Sequence, residues 1–146
     1  MLNETLALKG KLNLTLTNEQ GEVTDFREIN NLIVQVGKNF LASAIINSST
    51  SPFTYMAIGT SGTAATTADT ALGAQLVRQV FSSSSVSTNV VTLTTTYAAG
   101  TGTGALQEAG IFNASSGGTM LSHVVFSVIN KGASDTLTIT WTITVG

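Results

Sequence analysis

The chain reads as a mainly β protein: a two-sheet antiparallel β-sandwich of about eight strands with one short helix, in jelly-roll-like or immunoglobulin-like order. Three observations predict it. First, residues 135–145 alternate without a fault. Leu137, Ile139, Trp141, Ile143 and Val145 share one parity, and Thr136, Thr138, Thr140, Thr142 and Thr144 share the other. Successive strand side chains point to opposite faces, so this segment buries one side and wets the other. Second, similar short apolar runs recur along the chain, separated by Gly, Ser and Asn clusters. Third, hydrophobic residues make up 42% of the chain but charged ones only 10%. Thr, Ser, Asn and Gly therefore cover the polar side, and threonine suits a pleated strand.

The elements follow in order. Leu6, Leu8, Leu12, Leu14 and Leu16 keep a period of two, with Gly10 on the same parity. They predict one long strand with a bulge or bend at Gly10. Asn18-Glu19-Gln20-Gly21 is a turn. Residues 22–29 carry Glu22, Asp25, Arg27 and Glu28, the charge of an exposed or edge strand. From Leu32 to Ile46 the spacing shifts to i, i+3/i+4, which predicts a helix, although Gly37 and the β-branched Ile33, Val34 and Val36 oppose it. Ser48-Ser49-Thr50-Ser51-Pro52 ends it. Tyr55–Gly59 is a short buried strand, residues 60–71 a loop, Leu76–Phe81 a strand, and Ser82–Ser85 a polar link. Val86–Ala98, Leu106–Asn113, Thr119–Ile129 and Asp135–Val145 complete the strands, with hairpin connections at Ser115-Ser-Gly-Gly118 and Asn130-Lys-Gly-Ala-Ser134.

Composition bounds the function. A chain of 146 residues is long enough for one domain with a real core. The formal net charge of −2 gives no basic footprint, so no nucleic-acid partner is expected. No cysteine is present, which removes disulfides and thiolate metal sites. The start is too polar and too short for a signal peptide, and apolar runs are too interrupted for a transmembrane helix, so no membrane partner is expected. So thin a charge coat suits a protein covered by neighbours in an assembly.

Catalytic signals are weak. Gly100-Thr-Gly-Thr-Gly104 lacks the Lys-Ser/Thr of a phosphate loop and is read as a flexible connection. His123 is the only histidine. Without a second histidine or a cysteine it makes no ordinary zinc site, and it is read as a strand-surface or interface residue. Glu108, on a strand beside Gly110, is expected to bond backbone amides or to pair with Arg78 or Lys131. The other carboxylates, Glu4, Glu19, Glu22, Asp25, Glu28, Asp69 and Asp135, show no calcium-loop spacing. No catalytic, cofactor or metal residues are assigned.

One pattern rises above fold class. Asn31-Leu-Ile-Val, Gly37-Lys-Asn-Phe, Tyr55-Met-Ala-Ile-Gly-Thr60, Asp69-Thr-Ala-Leu-Gly73 and Arg78 come first. Glu108-Ala-Gly-Ile-Phe-Asn113, Ser116-Gly-Gly-Thr-Met-Leu121, Asn130-Lys-Gly132 and Asp135-Thr-Leu-Thr-Ile-Thr-Trp141 follow. In this order, over roughly residues 30–146, they resemble small structural proteins of tailed bacteriophages. The resemblance implies a virion component and supplies no catalytic residues; its glycines and Glu108 look like fold-keeping features. The reading that follows is a capsid decoration or cement protein. It would be made in the host cytoplasm and would sit on the outer capsid surface as a homotrimer, bridging subunits of the major capsid protein. A tail, baseplate or fibre-associated module, binding virion proteins or a host glycan, is the alternative, and a hydrolase using His123 or Glu108 a third.

Because the resemblance begins near residue 31, residues 1–30 are read as an N-terminal strand or arm region and 31–146 as the sandwich domain of a single globular unit. An apolar strand left on an open edge invites aggregation. Leu6, Leu8, Leu12, Leu14 and Leu16 are therefore the expected partner contacts.

Overall fold

The computed structural model describes residues 5–47 and 50–146. Glu4 and the Ser48-Ser49 part of the helix stop lie outside them. The described chain forms β1 (Leu8–Thr17), β2 (Val23–Asn30), β3 (Leu32–Ile33), α1 (Gln35–Ala44), β4 (Tyr55–Gly59), β5 (Gln75–Val80), β6 (Ser83–Ser87), β7 (Val90–Tyr97), β8 (Gly104–Phe112), β9 (Met120–Lys131) and β10 (Thr136–Val145). Two five-stranded antiparallel sheets result, ordered β2-β1-β10-β7-β6 and β3-β9-β8-β4-β5. The sandwich expected from the alternation is the fold observed.

The alternation of β10 does what period-two patterning dictates. Leu137, Ile139, Trp141 and Ile143 are buried, and the intervening threonines are half-buried on the outer face. Trp141 lies between Leu12 of β1 and Leu93 of β7 in the pairing. Threonines also face one another across the outer side, Thr140 opposite Thr94 and Thr138 opposite Thr96. Its charges gather at the β1–β2 end, where Lys9 and Lys11 share the face and Lys11 Nζ lies 3.1 Å from Glu28 Oε1.

The N-terminal arm is corrected. β1 is an interior strand, held by β2 on one side and β10 on the other. Its register sets Leu12 against Trp141, Leu14 against Ile139 and Leu16 against Leu137. The three leucines are buried in the core, Leu8 packs against it from the rim, and Leu6 stands 72% exposed. Leu8, Leu12, Leu14 and Leu16 are thus spent inside the sandwich. The parity that made them look like a sticky arm is the parity of β10's inner face, and matching the two buries most apolar area. Residues 8–30 belong to the sandwich itself. Gly10 causes no bulge against β10; the register shift lies against β2, between Leu16 and Thr17.

Two further departures are local. The helix begins at Gln35, because Leu32 and Ile33 pair with His123 and Ser122 of β9 and Val34 stays extended. β-branched side chains favour that extended entry. Gly37 does not weaken the helix so much as seat it: a Cβ there would stand 2.6 Å from the Leu121 carbonyl oxygen. The second departure is β6: the link expected at Ser82–Ser85 and the start of the strand expected over Val86–Ala98 form a strand of their own, Ser83 opposite Thr94 and Ser87 opposite Val90, with a turn at Thr88-Asn89 before β7. With β3 it raises the strand count from about eight to ten.

Tyr97 of β7 spans the sandwich, its buried hydroxyl donating to the Met56 carbonyl of β4 at 2.8 Å. Burial pushes its phenol pKa up. The outer face of the second sheet is also covered. α1 and the loop 60–74 lie over it, and Val34, Ala57, Leu72, Phe112 and Met120 form a second small core there.

Candidate functional site

The most concentrated polar chemistry lies under that loop. Gly110 of β8 pairs with His123 of β9, and Glu108 pairs with Val125. Glu108 and His123 are therefore diagonal neighbours on one face, with no side chain at Gly110 between them. His123 Nε2 lies 3.0 Å from Glu108 Oε1, and its Nδ1 lies 2.7 Å from Asp69 Oδ2 in the loop. Glu108 is fully buried and His123 nearly so.

Glu108 is saturated. Oε1 accepts the Gly73 N–H at 2.8 Å besides the imidazole, and Oε2 accepts the N–H groups of Ser61 at 3.1 Å and Ala74 at 2.7 Å. A carboxylate has about four such acceptor positions. Asp69 also caps its own loop, accepting from the Thr66 N–H and hydroxyl at 2.8 and 2.9 Å. Burial alone would raise the Asp69 pKa. The Thr66 N–H, the His123 hydrogen bond, the Thr66 hydroxyl and the His123 charge outweigh it and hold it below the usual 3.8. Both ring nitrogens of His123 are thus engaged, one by each carboxylate.

Glycines admit the loop. A Cβ at Gly59 would stand 2.4 Å from the Ala74 carbonyl oxygen and 2.6 Å from Glu108 Oε2, and one at Gly73 2.5 Å from Ser61 Oγ. Nearby, the Arg78 guanidinium lies 3.6 Å from the centre of the Phe112 ring, and Nη1 donates to the carbonyls of Ala114 and Gly117. Burial lowers the Arg78 pKa from its ordinary value. Buried Lys131 donates to the Ala98 and Asp135 carbonyls at 3.0 and 2.7 Å, tying two connections together. Burial lowers its pKa, while the Asp135 charge opposes that.

The expected placements separate accordingly. Glu108 bonds backbone amides as anticipated, but its side-chain partner is His123, not Arg78 or Lys131. His123 is not a surface residue: its strand faces the covering loop, and both its nitrogens are engaged. In the sequence Asp69 is one dispersed carboxylate among several. The only sequence signal for it is its place in Asp69-Thr-Ala-Leu-Gly73, the segment that returns to Glu108. Chemically the cluster clamps a loop. Neither imidazole nitrogen is free to take a proton from a nucleophile. Among the described residues no group of three or more His, Asp or Glu is placed to hold a metal ion.

Elsewhere the surface offers an apolar cavity of about 1130 Å³ between α1 and the rim of the first sheet. Leu8, Phe40, Leu41, Phe53, Val91 and Ile143 are among its lining residues. Ile45 and Ile46 stand exposed at the end of α1 beside it.

Comparison with known proteins returns no matching family model, no matching curated protein and no matching solved structure.

Proposed function

We propose that this protein is a non-enzymatic structural component of a tailed-bacteriophage virion, a decoration or cement protein that binds the major capsid protein on the outer shell. The observation that carries the reading is where the phage-like motif residues go. Gly59, Asp69, Gly73, Glu108 and Gly110 meet around one loop and are consumed in holding it against the second sheet, and Arg78 is consumed in tying the 113–119 connection to the same sheet. The pattern therefore preserves a shape and leaves no reactive group free. What the molecule presents outward is a threonine-covered sheet, an apolar cavity and few charges, a surface suited to burial against other proteins. Repetition over a shell multiplies weak contacts of this kind.

Electron microscopy of intact particles carrying a tagged copy tests the proposal. Density repeated over the capsid lattice is the expected result. A few copies confined to the tail would support the tail or baseplate reading instead. Turnover of an ester, peptide or glycoside that is lost in His123→Ala would overturn the non-enzymatic reading.

A further inference from the structure

The sandwich has four sheet edges, and three are guarded. β2 carries Asp25, Arg27 and Glu28, with an extra residue at Thr24 in its pairing with β1. Its Arg27 reaches across to the carbonyls of Ser127 and Val128 and seals that side. β3 is only two residues long and runs directly into α1. β5 is bulged at Leu76, and its Arg78 is tied to the 113–119 connection. Short length, charge and bulges are the devices by which proteins prevent edge pairing.

β6, five residues long, has neither the charge nor the bulge. Ser83-Ser-Ser-Val-Ser87 contains no charge and no proline, pairs with β7 without a register shift, and is exposed at every residue. Its one apolar side chain, Val86, is 71% exposed. Opposite residues of a ladder share a face, so Val86 and Ser84 lie on the core side with Val91 and Leu93. A strand added to β6 would cover Val86 and extend the first sheet.

We propose that β6 is the contact strand of a two-fold dimer, pairing antiparallel with β6 of a second copy. A two-fold contact must be self-complementary. An uncharged Ser-Ser-Ser-Val-Ser segment meets itself without like-charge repulsion, setting Ser85 opposite Ser85 and Ser84 opposite Val86. The charged edge β2 lies at the far side of the same sheet, so the dimer holds the two charged edges as far apart as the sheet permits. The two first sheets become one ten-stranded sheet, and this inference stands whether or not the protein belongs to a virion.

Sedimentation velocity over micromolar to submillimolar concentrations tests it. The native chain should show a monomer–dimer equilibrium, and Val86→Lys, exposed and harmless to the core, should raise the dissociation constant at least about tenfold. The chain has no cysteine, so a single introduced thiol cross-links only between copies. Ser85→Cys should form a disulfide dimer under mild oxidation, and Val23→Cys on the guarded edge should not. A native chain that stays monomeric, a dimer undisturbed by Val86→Lys, or association as trimers would each overturn the proposal.

Discussion

Replacing Glu108 by glutamine changes one oxygen to an amide nitrogen and almost nothing in shape. In the native protein Oε2 accepts the N–H groups of Ser61 and Ala74, and Oε1 accepts the Gly73 N–H and lies 3.0 Å from His123 Nε2. In Glu108→Gln one position becomes a donor facing at least one backbone N–H. At least one bond to a charged acceptor is lost in a buried place, at roughly 1.5–3 kcal/mol. The expected loss is therefore at least about 1.5–3 kcal/mol, a sizeable part of the roughly 5–15 kcal/mol that holds a domain together. Urea unfolding should show a lower midpoint with the slope unchanged. Limited proteolysis should cut within 60–74, where the native loop resists. A loss under about 1 kcal/mol, no more than an ordinary substitution costs, would refute the clamp.

Four further outcomes are expected. Trp141→Ala should cost about 3–5 kcal/mol by urea unfolding, whereas Thr140→Ala on the outer face should cost far less; equal small losses would contradict the burial of β10. Thr95 Oγ1 is buried without a partner among the described residues, so Thr95→Val should raise the midpoint by removing an unsatisfied hydroxyl. Gly37→Ala should lower the thermal midpoint despite alanine's better helix propensity, because its Cβ would press on the Leu121 backbone. The folded-state pKa of Asp69 is depressed, so its stabilising contribution is complete above about 3.8 and is lost as pH falls through the lower folded value; Asp69→Asn should flatten that part of the acid unfolding profile.

The sequence made the strands legible where burial is one-sided. β10, β1 and β7 announce themselves because one face meets the core and the other meets water. β6 is not legible as a strand of its own, because an edge strand exposed on both faces has no alternation to display; Ser82–Ser85 reads as a link and Val86 as the start of the next strand. The turn that separates it from β7 falls inside the single strand expected over Val86–Ala98. The helix start was misplaced by three residues, because Leu32 and Ile33 satisfy both periods and pairing with β9 decides between them. The clamp was half legible. A buried glutamate beside glycine predicts backbone amides as partners. Its histidine lies fifteen residues away on a neighbouring strand, and its aspartate contacts that histidine from a loop fifty-four residues distant. No local pattern encodes such a meeting; strand register does, and register is a tertiary fact.

The pairing of β1 with β10 also governs the order in which the molecule can come together. Every strand of the second sheet lies within residues 32–131, whereas the first sheet joins residues 8–17 to residues 136–145. During synthesis the second sheet can assemble while Leu12, Leu14 and Leu16 still wait for Leu137, Ile139 and Trp141 to leave the ribosome. Contacts so distant along the chain form slowly, and the waiting strand is the part most open to wrong pairing. A ribosome that stalls before β10 would release a chain whose β1 leucines have lost the strand that covers them on one side, so quality control has a clear feature to detect in unfinished copies.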